Sequence, residues 1–123
     1  MEEQKIRVAL VAHDGKKAEM VAWAMKHKAE LSHFELCGTG HTAELVAQAT
    51  GLPVKPFLPG PMGGDLEIGA MIAQRQIQMV FFFWDPLSAQ PHDPDVKALM
   101  RIAAVYNIPF ATNTSTADLL IRD

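Results

Sequence analysis

Ile6-Arg7-Val8-Ala9-Leu10-Val11-Ala12 is a near-continuous apolar run with β-branched members. That is the pattern of a strand buried on both faces, which belongs to a parallel sheet covered by helices on each side. Working outward from it, apolar residues recur at helical spacing at Ala18, Val21, Ala22 and Met25, and a second short strand follows at Phe34 to Cys37. Ala43, Val46, Ala47 and Thr50 mark a second helix, stopped by Gly51 where a C-cap glycine belongs. Val54 to Leu58 contains a proline and reads as a short or edge strand. Ile68, Met71 and Ile72 mark a third helix, and Met79 to Trp84 is the strongest strand in the chain. Val96, Leu99, Met100 and Ala103 give a fourth helix, with Asp93 as its N-cap and Pro94 at its first position. A strand at Ile108 to Ala111 and a helix at Thr116 to Ile121 complete the fifth strand-then-helix unit. The expected fold is α/β: one three-layer domain over residues 1–123, with a five-stranded, mainly parallel sheet and helices on both faces.

Composition agrees with a single globular domain. Of 123 residues, 49% are hydrophobic and 20% charged. A net charge of −3 without a basic run gives no footprint for nucleic acid. A phosphorylated ligand would therefore be held by local donors rather than by a global positive field. The lone Cys37 forms no intramolecular disulfide and suits a reducing compartment. The acidic opening Met1-Glu2-Glu3-Gln4 lacks the basic start of a signal peptide, and the longest apolar run is too short to span a bilayer. The expected protein is cytoplasmic and contacts no membrane.

In such a sheet ligands bind beyond the carboxyl ends of the strands. The loops expected there hold nearly every unusual polar group. They carry His13, Asp14, Lys16 and Lys17, then Thr39, Gly40, His41 and Thr42, then Pro59 to Asp65, Asp85 to Asp95, and Thr112 to Thr116. Gly60-Pro61-Met62-Gly63-Gly64-Asp65 has little side-chain bulk, so its backbone N–H groups can meet an anion, and it ends on a carboxylate. Pro91-His92-Asp93-Pro94-Asp95 sets a histidine and two carboxylates around a proline. Together they offer an anion cradle, a base and an acid.

Each feature also has a plainer reading. Gly38-x-Gly40 lacks the third glycine of a dinucleotide fingerprint and serves equally as a turn. Thr39 and Thr42 are helix caps or phosphate ligands at a helix N-terminus. Lys17 is a solvated helix lysine or a phosphate ligand, and Asp65 is a cap or a base. Asp93 reads as a cap. His27 and His33 are placed on the surface with no role, whereas no apolar periodicity recruits His92 to a core. His13-Asp14 and His92-x-x-Asp95 contain metal-ligand types, but no spacing matches a structural zinc site, and no P-loop or nucleophile elbow occurs.

On these residues the chain resembles the methylglyoxal synthase family. The segments that carry the resemblance are Leu10-Val11-Ala12-His13-Asp14-x-x-Lys17, Thr39-Gly40-x-Thr42 and Gly60-Pro61-Met62-Gly63-Gly64-Asp65. Phe82-Phe83-Trp84-Asp85-Pro86-Leu87, Pro91-His92-Asp93-Pro94-Asp95-Val96-Lys97-Ala98-Leu99 and Ala111-Thr112-Asn113 extend it over most of the chain. The resemblance implies a Rossmann-like fold and a cofactor-free lyase that eliminates phosphate from dihydroxyacetone phosphate, giving methylglyoxal. By the same resemblance Asp65 is the general base, His92 polarises the substrate carbonyl, and Asp95 and Asp14 complete the acid–base set. The family's substrate- and phosphate-binding positions fall on His13, Lys17, Thr39, Gly40, His41, Thr42, Pro59 and Gly60. No metal is implied; a homohexamer is, with inorganic phosphate as product and allosteric inhibitor. A regulatory domain of the same fold that binds a phosphometabolite without catalysis is the alternative. It would need the phosphate loops but not Asp65, His92 and Asp95 together. A metal-assisted phosphatase or lyase is a third.

Two departures stand out. Pro59 occupies a position where the family usually has a hydroxyl or amine side chain, which removes one phosphate contact. Family members also usually carry a C-terminal tail with an arginine linked to the phosphate site, a role not transferred to Arg122 here. Weaker phosphate affinity or an altered phosphate response is expected. His41, where threonine is common, is a milder change.

Overall fold

The structure, a computed structural model, describes residues 6–59, 62–87 and 96–121. The expected strands form as β1 (Arg7–Ala12), β2 (Glu35–Gly38), β3 (Val54–Pro56), β4 (Met79–Phe83) and β5 (Phe110–Ala111). The helices are α1 (Lys17–Lys26), the short α2 (Lys28–Leu31), α3 (Gly40–Thr50), α4 (Gly64–Ala73), α5 (Val96–Val105) and α6 (Thr114–Ile121). A 3-10 turn over Asp14–Lys16 leads into α1. The strands lie in the order β3-β2-β1-β4-β5, and all four pairings are parallel.

Strand periodicity divides the core in two. Val8, Leu10 and Ala12 face one side of β1, with Met79, Phe81 and Phe83 of β4, and are covered by Met20, Trp23 and Ala24 of α1, Val46 of α3, and Ala117 and Ile121 of α6. Ala9, Val11, Cys37, Val80 and Phe82 face the other way, against Ile68 and Ile72 of α4 and Val96 and Leu99 of α5. This is the expected three-layer sandwich. The chain moves from β1 outward to β3, then returns past β1 to β4. Right-handed crossovers therefore place α4 and α5 on the opposite face, while α6, which follows the last strand, packs on the face of α1 and α3. Burial pushes the Cys37 thiol up to about 12.

Two local expectations hold and one changes. Gly51 caps α3 in the left-handed region at φ +76°, and β3 is a short edge strand. In α1, however, Met20, Trp23 and Ala24 are buried, not the stripe Ala18, Val21, Ala22 and Met25; Met25 is exposed. The indole of Trp23 packs edge-on against Phe81 and Phe83, at centroid distances of 5.1 and 5.7 Å. Burying that large ring outweighs burying alanines and sets the rotation of the helix. Residues 91–95, with the expected Asp93 cap and Pro94, lie outside the described residues.

Candidate active site

The crevice where strand order reverses lies between β1 and β4, and the polar residues converge on its carboxyl end. His13 extends the β1–β4 pairing by one step, its N–H donating to Phe83 O at 3.2 Å. Its carbonyl accepts the Lys16 N–H at 2.8 Å, which starts the 3-10 turn. The imidazole is buried, with its edge on the Phe82 ring at 5.2 Å, and its Nδ1 accepts the Asp85 backbone N–H at 3.1 Å.

The turn after His13 brings Asp14 and Lys17 three residues apart onto one side. Lys17 Nζ pairs with Asp14 Oδ1 at 2.7 Å and reaches His41 Nδ1 at 3.2 Å. Of the two readings of Lys17, a freely solvated side chain does not fit these two contacts. His41 belongs to the first turn of α3, where Thr39 occupies the N-cap position in extended conformation but makes no side-chain cap bond. Thr42 Oγ1 is buried and has no hydrogen-bond partner among the described residues. A buried, unpaired hydroxyl is costly, and a ligand oxygen is the natural way to satisfy it.

The third wall is the entry to α4. Gly63, at its N-cap position, sits at φ +103°, a conformation that favours glycine. Gly64 packs so closely that a Cβ there would collide with the Leu58 carbonyl and crowd the Thr39 methyl. The Met62 and Gly64 N–H groups both donate to Pro59 O, at 2.9 and 3.1 Å, and Glu67 Oε1 accepts the Leu58 N–H at 2.7 Å. Gly40 lies against the same segment, its N–H 3.4 Å from Leu58 O. The N-termini of α3 and α4 thus meet across residues 57–59. Asp65 is the second residue of α4, half-buried, so it is not the helix N-cap; its Oδ1 accepts the Leu66 N–H at 3.0 Å.

The structure therefore brings Asp14, Lys17 and His41 into direct contact, and sets Thr39, Gly40, Thr42, Pro59 and Asp65 around the neighbouring helix starts. Gly60, His92 and Asp95 lie outside the described residues. Asp85 and Glu67 were not singled out by sequence reading, because each acts through a backbone contact that leaves no spacing signature. His27, expected on the surface, is instead largely buried. Its Nε2 lies 3.0 Å from Asp118 Oδ1, its Nδ1 lies 3.4 Å from Glu30 Oε2, and its ring rests on Trp23. His33 is exposed, as expected.

Comparison with known proteins identifies the family to which this fold belongs. Residues 19–112 match the family model described as MGS-like domain. The chain is 55% identical over 118 residues to a methylglyoxal synthase of Clostridium acetobutylicum, covering 96% of this chain and 81% of that one. It is 56% identical over 115 residues to a methylglyoxal synthase of Leptospira interrogans, covering 94% of this chain and 78% of the relative. The crystal structure of methylglyoxal synthase from Elizabethkingia anophelis superposes with a TM-score of 0.93 at 48% identity, over 97% of this chain and 78% of that one. With the helix starts, the paired lysine and the α4 carboxylate arranged around the crevice of a parallel sheet, the chain belongs to the methylglyoxal synthase family.

Proposed function

We propose that this chain is a lyase that converts dihydroxyacetone phosphate to methylglyoxal and inorganic phosphate. The observation that carries this reading is the buried Thr42 hydroxyl, unsatisfied among the described residues, at the start of α3 beside the Lys17–His41 contact. Phosphate oxygens accept from hydroxyls, ammonium groups and free helix N–H groups, and all three types meet here. Lys17, Thr39, Gly40, His41 and Thr42 hold the phosphate with the backbone N–H of Gly60, while Pro59, which has no N–H, shapes the loop by accepting the Met62 and Gly64 N–H groups.

Asp65 takes a proton from the hydroxymethyl carbon of the substrate. The electron pair left behind forms an enediolate, whose oxygens need preorganised donors. His13 and His92 supply those donors, and Asp14 and Asp95 complete the acid–base set. The enediolate pair then breaks the bond from carbon to the phosphate oxygen, and phosphate departs. The enol formed takes a proton at its methylene carbon to give methylglyoxal. Elimination requires that the breaking C–O bond stand perpendicular to the enediolate plane, and the phosphate cradle holds it there. We further infer a homohexamer that phosphate inhibits, acting in the cytoplasm. The exposed apolar Leu58, Met62 and Leu66 near the start of α4 support burial against further copies, and the lone buried Cys37 suits a reducing compartment.

The test is an assay of purified protein with dihydroxyacetone phosphate in the presence of EDTA, following methylglyoxal and phosphate. Activity is expected to survive EDTA and to fall by roughly 10²–10⁴-fold in Asp65→Asn, the usual contribution of a general base. Glyceraldehyde 3-phosphate as main product would overturn the reading, and an equally active variant would reject Asp65 as the base.

A further inference from the structure

The hydrogen bond between His13 and the residue after Trp84 has an unusual polarity. A backbone N–H donates to His13 Nδ1, so the imidazole accepts at that nitrogen. In a neutral ring the proton must then reside on Nε2. A carboxylate at Nδ1 would hold a proton there and support a histidine that shuttles protons. An amide does the opposite, because it has no lone pair to offer and no proton to give up.

Three contacts hold that amide in place. Asp85 Oδ1 accepts the N–H of Leu87 at 3.2 Å, folding the Asp85-Pro86-Leu87 segment back on itself. Gly15 leaves room for the Asp85 carboxylate, since a Cβ at Gly15 would stand 2.5 Å from Oδ2. The Trp84 N–H, 3.4 Å from Thr112 O, ties the start of the loop to the end of β5. The imidazole itself is buried, with its edge on Phe82. The contact bridges the ends of β1 and β4, the two strands that flank the crevice.

We propose that Asp85 is a positioning residue whose backbone N–H locks His13 as the Nε2–H tautomer, making His13 a fixed hydrogen-bond donor to the substrate oxygens rather than a proton carrier. The inference rests on the reaction assigned above. Neutral imidazole donors of this kind serve other enediolate chemistry. The division of labour that follows is specific: proton movement falls to the carboxylates, and His13 supplies only a preorganised donor.

The decisive measurement needs no variant to fold. Nitrogen NMR of the wild-type protein labelled in histidine is expected to show His13 with Nε2 protonated and Nδ1 bare. A His13 signal with the proton on Nδ1, or averaged over both nitrogens, overturns the proposal. In kinetics, Gly15→Ala pushes on the Asp85 carboxylate without touching substrate. It is expected to lower kcat about tenfold or more while KM stays within about twofold, as small misplacements of a reacting group do. Asp85→Ala should behave likewise, and Asp85→Asn, which keeps the Oδ1 acceptor, should recover most of the loss. Equal impairment in both Asp85 variants would mean that its charge acts directly, which refutes a positioning role. A protein with the expected tautomer but no methylglyoxal formation supports the tautomer lock and overturns the assigned reaction instead.

Discussion

Thr42 shows what a single side chain reveals about this site. Its type and place in a helix start could be read locally, as could Lys17 and Thr39. That its hydroxyl is buried and unpaired could not, because burial depends on how α3 seats against its neighbours. Thr42→Val keeps the shape and removes the orphan hydroxyl, so thermal stability should be unchanged or slightly raised. The lost hydrogen bond to a charged phosphate is worth about 1.5–3 kcal/mol, and kcat/KM should fall roughly tenfold to a hundredfold. A drop in Tm with unchanged kinetics would show that the hydroxyl serves the fold. His41 is similar: a departure visible in the sequence, whose contact with Lys17 Nζ only the packing of α3 beside α1 displays.

Among the elements, α1 and α6 carry the clearest lesson. Both were legible as helices, α1 from its apolar spacing and α6 as the close of the strand-then-helix pattern, yet the rotation of α1 was not. Several stripes of small apolar residues fit a helix equally well, and Trp23 settles the choice only through partners on β4. The same indole donates to Asp118 Oδ1 at 2.9 Å and so pins α6 to α1. That hydrogen bond, then His27, hold the Asp118 carboxyl below its ordinary value of 3.8, against a smaller opposing effect of desolvation. A carboxyl depressed on folding contributes stability above its unfolded value and loses it as pH falls through the folded value. Asp118→Asn should therefore be less stable than wild type near neutral pH, and the gap should close as pH falls below 3.8 in paired thermal melts. A gap that does not change with pH would show that the carboxylate charge has no part in the pin.

Across the whole molecule, β4 has the greatest consequence. Its Phe81, Phe82 and Phe83 are fully buried and serve both core layers, and its end supplies the loop that meets His13. Phe81→Ala should cost about 3–5 kcal/mol in denaturant unfolding, the usual price of emptying an aromatic site in a core. A loss under about 1 kcal/mol would mean that the sheet repacks around the gap. The five strands, their parallel relation and the five longer helices could be read from the sequence, since each is encoded by periodicity, caps and turn residues within a few positions, whereas the short α2 could not. Strand order, the buried place of His27 and the contact from Asp85 to His13 could not. These arise when residues up to 95 positions apart, as Trp23 and Asp118 are, compete to bury area and satisfy hydrogen bonds. Only the closed fold settles that competition, because no local pattern contains the partner.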